Sequence, residues 1–147
     1  MKRVLLIIFA IITVNHTYSQ IGKANKLEEL VTLGIADKMV GLPELSYYVI
    51  DESTKQFFLS YYNLEYPSLK DIKTISFKAT PDELEYFYNF LLSGFETKEK
   101  QSLSIGNASI IIYKVSSSLR VSITYENEIP GWFYLSKKQI EKLFGKK

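Results

Sequence analysis

The segment from Thr80 to Phe95, TPDELEYFYNFLLSGF, constrains the fold most because it contains both the start and the stop signals of one helix. Thr80 suits the N-cap, Pro81 suits the first helical position, and Glu83 completes a capping box. Gly94 favours the end of the helix. Apolar residues at helical spacing, and further ones beside them, form a broad stripe: Leu84, Phe87, Tyr88 and Leu91, then Tyr86, Phe90 and Leu92. The width of this stripe predicts a heavily buried helix.

Segments with strand composition lie on both sides of this helix. SYYVID, QFFLSYYN and DIKTISFKA precede it, and SLSIG, ASIIIYKV, SLRVSITYE and WFYL follow it. These segments are rich in β-branched and aromatic residues, and short polar or glycine-containing turns separate them. Because short connections favour antiparallel neighbours, we expect an α+β fold with a mainly antiparallel sheet of about six to seven strands and helices on one face.

Helix signals also occur near both ends of the chain. Asn25 and Glu28 have capping-box spacing, which predicts a helix that runs to about Asp37. Three apolar residues share one face of that helix: Leu27, Leu30 and Val31. Ser136 and Gln139 have the same spacing before a last helix, whose inward-facing residues are Ile140, Leu143 and Phe144. The predicted order is therefore α-βββ-α-ββββ-α, with about three helices.

Residues 1–19 have the layout of a secretory signal peptide. Lys2 and Arg3 precede an apolar run, and small residues at Thr17 and Ser19 suit a signal peptidase. At about 1.5 Å per residue the run spans roughly 16 Å, half of a hydrocarbon core, so an uncleaved membrane anchor is the less favoured alternative. We expect cleavage after Ser19, export to the periplasm or the extracellular space, and no membrane span in the mature protein. Neither linker composition nor an internal repeat divides residues 20–147, which predicts one globular domain.

Charge and cysteine content bear on the choice of partner. The chain has 18 Lys and Arg residues against 16 Asp and Glu residues, and loss of the signal peptide leaves 16 of each. A protein without net charge has no long-range field that attracts nucleic acid or an anionic membrane. Cysteine is absent, so we expect packing rather than disulfides to stabilise the exported domain.

Motifs for catalysis and cofactor binding are sparse. His16, the only histidine, lies in the predicted signal peptide. Without histidine and cysteine, the rest of the chain cannot form a Ser-His-Asp triad, a Cys-His pair or a typical zinc site. Neither a P-loop nor a GxGxxG motif occurs, and we expect no cofactor and no metal. Paired carboxylates remain as an enzymatic route, and the pair that stands out is Glu126 and Glu128, close to the single tryptophan, Trp132.

Aromatic pairs in the predicted hairpin give the positive functional signal. Tyr47 and Tyr48 lie on one strand and Tyr61 and Tyr62 on the next, and consecutive strand residues point to opposite faces. One face of the hairpin packs under the helices. The aromatic residues on the other face must be covered by another element of the chain, by a second subunit or by a ligand. Tyrosine suits a recognition surface because its ring is apolar and its hydroxyl stays hydrated. The alternative is that the helices cover both faces of the hairpin and that Trp132 belongs to the core or its rim.

These patterns favour a small exported, non-catalytic protein that recognises a protein or glycan partner in the cell envelope or outside the cell. The candidate partner-binding residues are Tyr47, Tyr48, Tyr61, Tyr62 and Trp132. One alternative is a carboxylate-dependent hydrolase that acts on an envelope polymer through Glu126 and Glu128. Another is a structural homodimer that is joined through the hairpin and has no ligand.

Overall fold

A computed structural model describes residues 29–125 and 130–146, and within them the protein has an α+β fold in which neighbouring strands are antiparallel. The predicted signal peptide, residues 1–19, lies outside the described residues. The described strands are β1 (Val31–Ile35), β2 (Glu44–Val49), β3 (Lys55–Tyr62), β4 (Ile72–Ala79), β5 (Gln101–Ile105), β6 (Ala108–Val115), β7 (Ser118–Tyr125) and β8 (Gly131–Leu135). The described helices are α1 (Pro81–Ser93) and α2 (Lys137–Leu143), and a short 3₁₀ turn, Pro67–Leu69, precedes β4.

The strands form two four-stranded sheets instead of the single sheet of six to seven strands that the sequence patterns predicted. The first sheet has the order β1-β2-β3-β4 and the second has the order β5-β6-β7-β8. Helix α1 lies between β4 and β5 in the chain, and these two strands belong to different sheets. A helix follows each sheet, and the described residues therefore repeat the order ββββα. This repeat is not visible in the sequence because the two halves resemble each other in topology and not in residues.

The predicted helix from Asn25 to Asp37 is wrong in its described part, where Val31–Ile35 forms β1. Residues 25–28 lie outside the described residues. β1 pairs with β2, and its sequence VTLGI contains the β-branched residues that favour strands. Leu30, which the helix would have buried, is 57% exposed. Gly34 lies directly against α2, since a Cβ at this position would come within 2.0 Å of a carbonyl oxygen of that helix.

The remaining predicted elements are confirmed, including the β2–β3 hairpin, the strands β4 to β8 and the capping boxes of both described helices. Helix α1 is less buried than its broad apolar stripe predicted. Phe87 and Leu91 are buried, but Tyr86 is 62% exposed because the helix packs on one side only. Neither described helix has the length and apolar content that crossing a membrane requires.

One hydrophobic core is shared by both sheets and both described helices. Every second residue of the central strands points into it, as in the sets Phe57, Leu59 and Tyr61 of β3 and Leu119, Val121 and Ile123 of β7. The Phe87 ring of α1 packs edge-on against Phe77 at 5.8 Å and Phe144 at 5.5 Å, and so connects the first sheet to the end of α2. The alternating residues of each strand point away from this core, and those of the second sheet form the candidate site.

Candidate functional site

The outer face of the second sheet carries a compact group of cationic and aromatic side chains. On β7 buried aliphatic residues alternate with outward-facing ones, and Arg120 is one of the outward-facing residues. Tyr113 on β6 and Tyr134 on β8 are both directly opposite Arg120 in the strand register. Trp132 lies two residues before Tyr134 on the same face of β8. The antiparallel register thus brings together residues from three strands.

Arg120 lies between two aromatic rings. Its Cζ is 4.1 Å from the ring centroid of Trp132 and 5.7 Å from that of Tyr113, within the roughly 6 Å over which a cation is attracted to an aromatic face. Lys100 Nζ is 5.2 Å from the Tyr113 centroid, and Trp132 packs edge-on against Tyr134 with centroids 5.3 Å apart. We call Lys100, Tyr113, Arg120, Trp132 and Tyr134 the cation–aromatic row.

The charges of this row are not neutralised by the described residues. Neither Arg120 nor Lys100 forms a salt bridge within residues 29–125 and 130–146. Arg120 Nε is buried without a hydrogen-bond acceptor among the described residues, and the terminal nitrogens donate no hydrogen bond to another described residue. A guanidinium presents parallel N–H donors that match a carboxylate or another planar oxyanion. Binding such a group is therefore the chemistry that the row offers.

Hydrogen bonds from the end of β3 fix Trp132. The indole Nε1–H donates to Glu65 Oε2 at 2.7 Å, and the backbone N–H of Trp132 donates to Asn63 Oδ1 at 3.2 Å. The carbonyl oxygen of Trp132 accepts a hydrogen bond from the Leu64 N–H at 2.9 Å. These contacts join the end of β3 to β8, so the first sheet meets the second beside the row.

Asn63 lies at the centre of this junction and is 1% exposed. Its Nδ2 donates to Asp71 Oδ2 at 2.9 Å, and its Oδ1 accepts from the Glu65 backbone N–H at 3.0 Å as well as from Trp132. Its own backbone N–H donates to the Asp71 carbonyl oxygen at 2.8 Å. A buried amide with its side-chain groups paired holds its neighbours in one arrangement. Asn63 therefore positions both Trp132 and the carboxylate that holds the indole.

A cleft of about 220 Å³ adjoins the row and shares Tyr134 with it. Its walls come from the loop after β1, the end of β3, β8 and α2, and they include Val40, Leu42, Pro43, Tyr62, Leu64 and Tyr134. We call it the Tyr62 cleft. Its volume lies below the roughly 300–1,000 Å³ of typical small-molecule sites. The cleft is therefore suited to one side chain or a group of similar size.

Two of the tyrosines that the sequence singled out point toward the inside of the protein. Tyr61 is 1% exposed and packs on Phe133 with ring centroids 4.6 Å apart, so a partner has no access to it. Tyr47 is directly opposite Phe57 in the register, and its ring packs on that residue at 5.6 Å. These two residues belong to the core and its margin.

The other two tyrosines, Tyr48 and Tyr62, lie on the outer face of the first sheet but at opposite ends. Tyr48 packs beside Phe58, with ring centroids 5.8 Å apart. Its register partner, Gln56, precedes Tyr62 by six residues, which corresponds to about 20 Å along the strand. Tyr62 lines the cleft that Tyr134 shares with the row. Of the predicted residues, the structure thus brings Tyr62 and Trp132 to one surface and leaves Tyr48 apart.

The predicted acid pair, Glu126 and Glu128, lies outside the described residues. Within residues 29–125 and 130–146, no three Asp, Glu, His or Cys side chains come together as a possible metal site. Hydrogen bonds from the Thr80 backbone N–H and hydroxyl lower the pKa of Glu83, and hydrogen bonds from Ser53 lower the pKa of Asp51. A general acid requires a raised pKa, so these two carboxylates act as a helix cap and a turn stabiliser.

Sequence reasoning missed most of the row, although part of the signal was present. The loop between β6 and β7 consists of Ser116 and Ser117, and this short connection fixes a register that places Tyr113 opposite Arg120. The contribution of Glu65 had no local signal, because this residue and Trp132 are 67 positions apart in the chain.

No protein-family model matches the chain, and comparisons with curated proteins and with solved structures gave no significant match. Function is therefore inferred from the geometry of the cation–aromatic row and the Tyr62 cleft.

Proposed function

We propose that this is an exported, non-catalytic binding protein that recognises a protein or glycan partner in the cell envelope or outside the cell. The outer face of the second sheet is the binding surface. One observation carries the proposal: Arg120 lies between Tyr113 and Trp132 with a buried, unpaired Nε and no acidic partner among the described residues.

The residue types of the row support recognition. Trp, Tyr and Arg are the residues most often found at the energetic centre of protein interfaces. Tyr134 is 38% exposed, and a tyrosine offers a partner an apolar ring together with a polar hydroxyl group. A protein partner is favoured over a glycan because the adjoining cleft accepts a single apolar side chain.

The arrangement of the row also lowers the entropic cost of binding. Asn63 and Glu65 hold Trp132 by hydrogen bonds to its backbone and its indole, and Trp132 in turn supports Arg120. Ordering a flexible side chain at an interface costs about 0.5–1.5 kcal/mol. A row that is already ordered in the free protein avoids most of this cost.

Capture of partners by the full chain, produced with its own leader and purified after export, tests the proposal. The test variant is Trp132→Ala with Tyr134→Ala, which removes two rings of the row. Arg120→Gln removes only the charge, and Tyr86→Ala is the matched control because it removes an exposed ring from α1. Circular dichroism and thermal unfolding establish that each variant is folded before it is compared.

We expect the parent and the Tyr86 control to retain the same partner from envelope or secreted extracts. The double variant loses this partner, and Arg120→Gln binds it more weakly. Equal retention by all four proteins contradicts the proposal, since the binding surface then lies elsewhere. Loss in a Tyr48→Ala variant alone places recognition on the outer face of the hairpin and also contradicts it.

A further inference from the structure

We infer that the partner is a protein segment that presents a carboxylate to Arg120 and an apolar side chain to the Tyr62 cleft. This inference rests on the proposed function and specifies the chemistry of the same surface. The segment needs only an acidic residue and an apolar residue close together in its sequence.

Charge complementarity identifies the first contact. Arg120 and Lys100 carry two positive charges on one face, and neither forms a salt bridge within the described part of the chain. Glu65, the acidic residue that contacts the row, already accepts the indole hydrogen bond of Trp132. The flanking rings hold the guanidinium, and its two terminal nitrogens donate no hydrogen bond to another described residue. A planar carboxylate satisfies both of these donors at once.

The cleft identifies the second contact. Its volume of about 220 Å³ is too small for a typical cofactor, and aliphatic residues and proline contribute much of its wall: Val40, Leu42, Pro43 and Leu64. Tyr62 and Tyr134, which each carry a hydroxyl group, also line this cleft. An apolar side chain that fills the cleft removes this surface from water, which is the usual driving force at the centre of an interface.

The two contacts lie close enough for one short segment to make both. Tyr134 lines the cleft and is directly opposite Arg120 in the register, which separates their Cα atoms by roughly 4.5–5.5 Å. Side chains two residues apart in an extended segment lie on one face about 6.6–6.8 Å apart. Neighbouring or alternate residues of one partner segment therefore reach Arg120 and the cleft together.

An acidic polysaccharide fits the surface less well than a protein segment does. Such a polymer supplies carboxylates for Arg120 and Lys100, but it has no apolar side chain for the cleft. Its binding would leave Val40, Leu42 and Pro43 without a complementary surface. The combination of a cation with an adjacent small apolar cleft is what favours a protein.

Nuclear magnetic resonance titration of the full chain with two matched peptides tests the inference. N-acetyl-Asp-Phe-amide is the acidic probe, and N-acetyl-Asn-Phe-amide is its neutral counterpart. Trp132 is the only tryptophan and Arg120 is one of two arginines, so the indole N–H and arginine Nε–H signals report on the row with almost no overlap. Arg120→Gln assigns the arginine signal, and Lys78→Gln is the control because it removes an exposed positive charge from the other sheet.

We expect the acidic peptide to shift both signals and to bind about tenfold more tightly than the neutral peptide, as a paired carboxylate and guanidinium imply. Arg120→Gln abolishes this preference and Lys78→Gln keeps it. An N-acetyl-Asp-Gly-amide probe binds more weakly than the Phe peptide because it leaves the cleft empty. Equal binding of the Asp-Phe and Asn-Phe peptides, or shifts confined to other residues, overturns the inference.

A third probe, oligogalacturonate, separates the two sources of carboxylate. If it shifts the row at lower concentration than the Asp-Phe peptide does, the partner is an acidic glycan and the protein segment is excluded. The outcome is also distinguishable from failure of the proposed function. Capture of a partner through Trp132 without any preference for the acidic peptide overturns the inference alone. Failure to capture any partner counts against the proposed function even where the peptide preference is observed.

Discussion

Replacing Asn63 by alanine tests the link between the fold and the candidate site. The Asn63 side chain makes three hydrogen bonds, to Asp71 Oδ2 and from the backbone N–H groups of Glu65 and Trp132. Each such bond contributes about 0.5–1.5 kcal/mol net, and a buried group left unpaired costs more. Because Asp71 and Glu65 are near enough to solvent for water to replace part of the loss, we expect Asn63→Ala to lower the free energy of unfolding by about 2–4 kcal/mol.

Urea denaturation followed by the fluorescence of Trp132, the only tryptophan, measures this change at the site itself. The midpoint is expected to fall with no change in the slope, which reports the surface exposed on unfolding. Asn89→Ala on the exposed side of α1 is the matched control, and it is expected to change stability by a few tenths of a kcal/mol at most. A loss below about 1 kcal/mol for Asn63→Ala would show that the junction is not a stabilising network.

Asn63→Asp refines the same test because it keeps the acceptor oxygen but places a second carboxylate beside Asp71. Two like charges in contact raise the pKa of one of the carboxyl groups in the folded state. A raised folded-state pKa makes the charged form unfavourable, so the loss of stability is full at pH 7 and shrinks as the pH falls through that pKa. Unfolding of parent and variant at pH 7 and pH 4.5 measures the effect, and a pH-independent difference would refute the like-charge contact.

Three further variants test other parts of the structure. Gly34→Ala is expected to cost at least about 1–3 kcal/mol in urea unfolding, because its Cβ would overlap the backbone of α2. The same change in the helix that the sequence predicts for this segment would stabilise that helix by up to about 1 kcal/mol. Glu83→Gln is expected to lower the free energy of unfolding at pH 7 and to lose this effect toward pH 3. The hydrogen bonds from Thr80 lower the pKa of Glu83 in the folded state. The stabilisation by Glu83 is therefore full above the pKa of the unfolded chain, roughly 4.3, and disappears as the pH falls below the pKa of the folded state. Phe87→Ala is expected to cost about 3–5 kcal/mol and Tyr86→Ala less than about 0.5, since the first ring is buried and the second is exposed; similar losses would contradict the observed orientation of α1.

The helices with local start signals were the elements that the sequence predicted most completely. Thr80 with Glu83 and Ser136 with Gln139 form capping boxes within four residues of chain, so their geometry depends on local chemistry alone. The β2–β3 hairpin was equally accessible because alternation and a short polar loop define it. The surplus of aromatics on α1 misled the prediction, since Tyr86 is tolerated at the surface and does not require burial.

Strand β1 was mispredicted because local and long-range signals disagree at that point. Leu27, Leu30 and Val31 have helical spacing, whereas Val31–Ile35 forms hydrogen bonds with β2 and packs Gly34 against α2. Those partners come from distant parts of the chain, and single-sequence periodicity carries no information about them. The division into two sheets has the same origin, because it depends on how β4 and β5 are placed around α1.

The candidate site was predictable only in part. Aromatic residues in strands predict Tyr62 and Trp132 as site residues. In the structure Tyr62 lines the same cleft as Tyr134, and the Trp132 ring contacts Tyr134. The alternation along β7 indicates only that Arg120 is a polar position, and its place between two rings depends on the pairing of three strands. Asn63 joins sequence positions that are 69 residues apart, so its role becomes visible only in three dimensions.

Site-specific photo-crosslinking tests the central claim most directly, namely that the outer face of the second sheet is the binding surface. A photoreactive amino acid replaces Tyr134, Tyr48 or Tyr86 in separate full-length variants, and cells that produce each variant are irradiated before the crosslinked products are separated by mass. The binding surface proposed here predicts a discrete adduct from position 134 that disappears when Arg120→Gln is added, and no such adduct from positions 48 and 86. An adduct from position 48 with none from position 134 would contradict the claim.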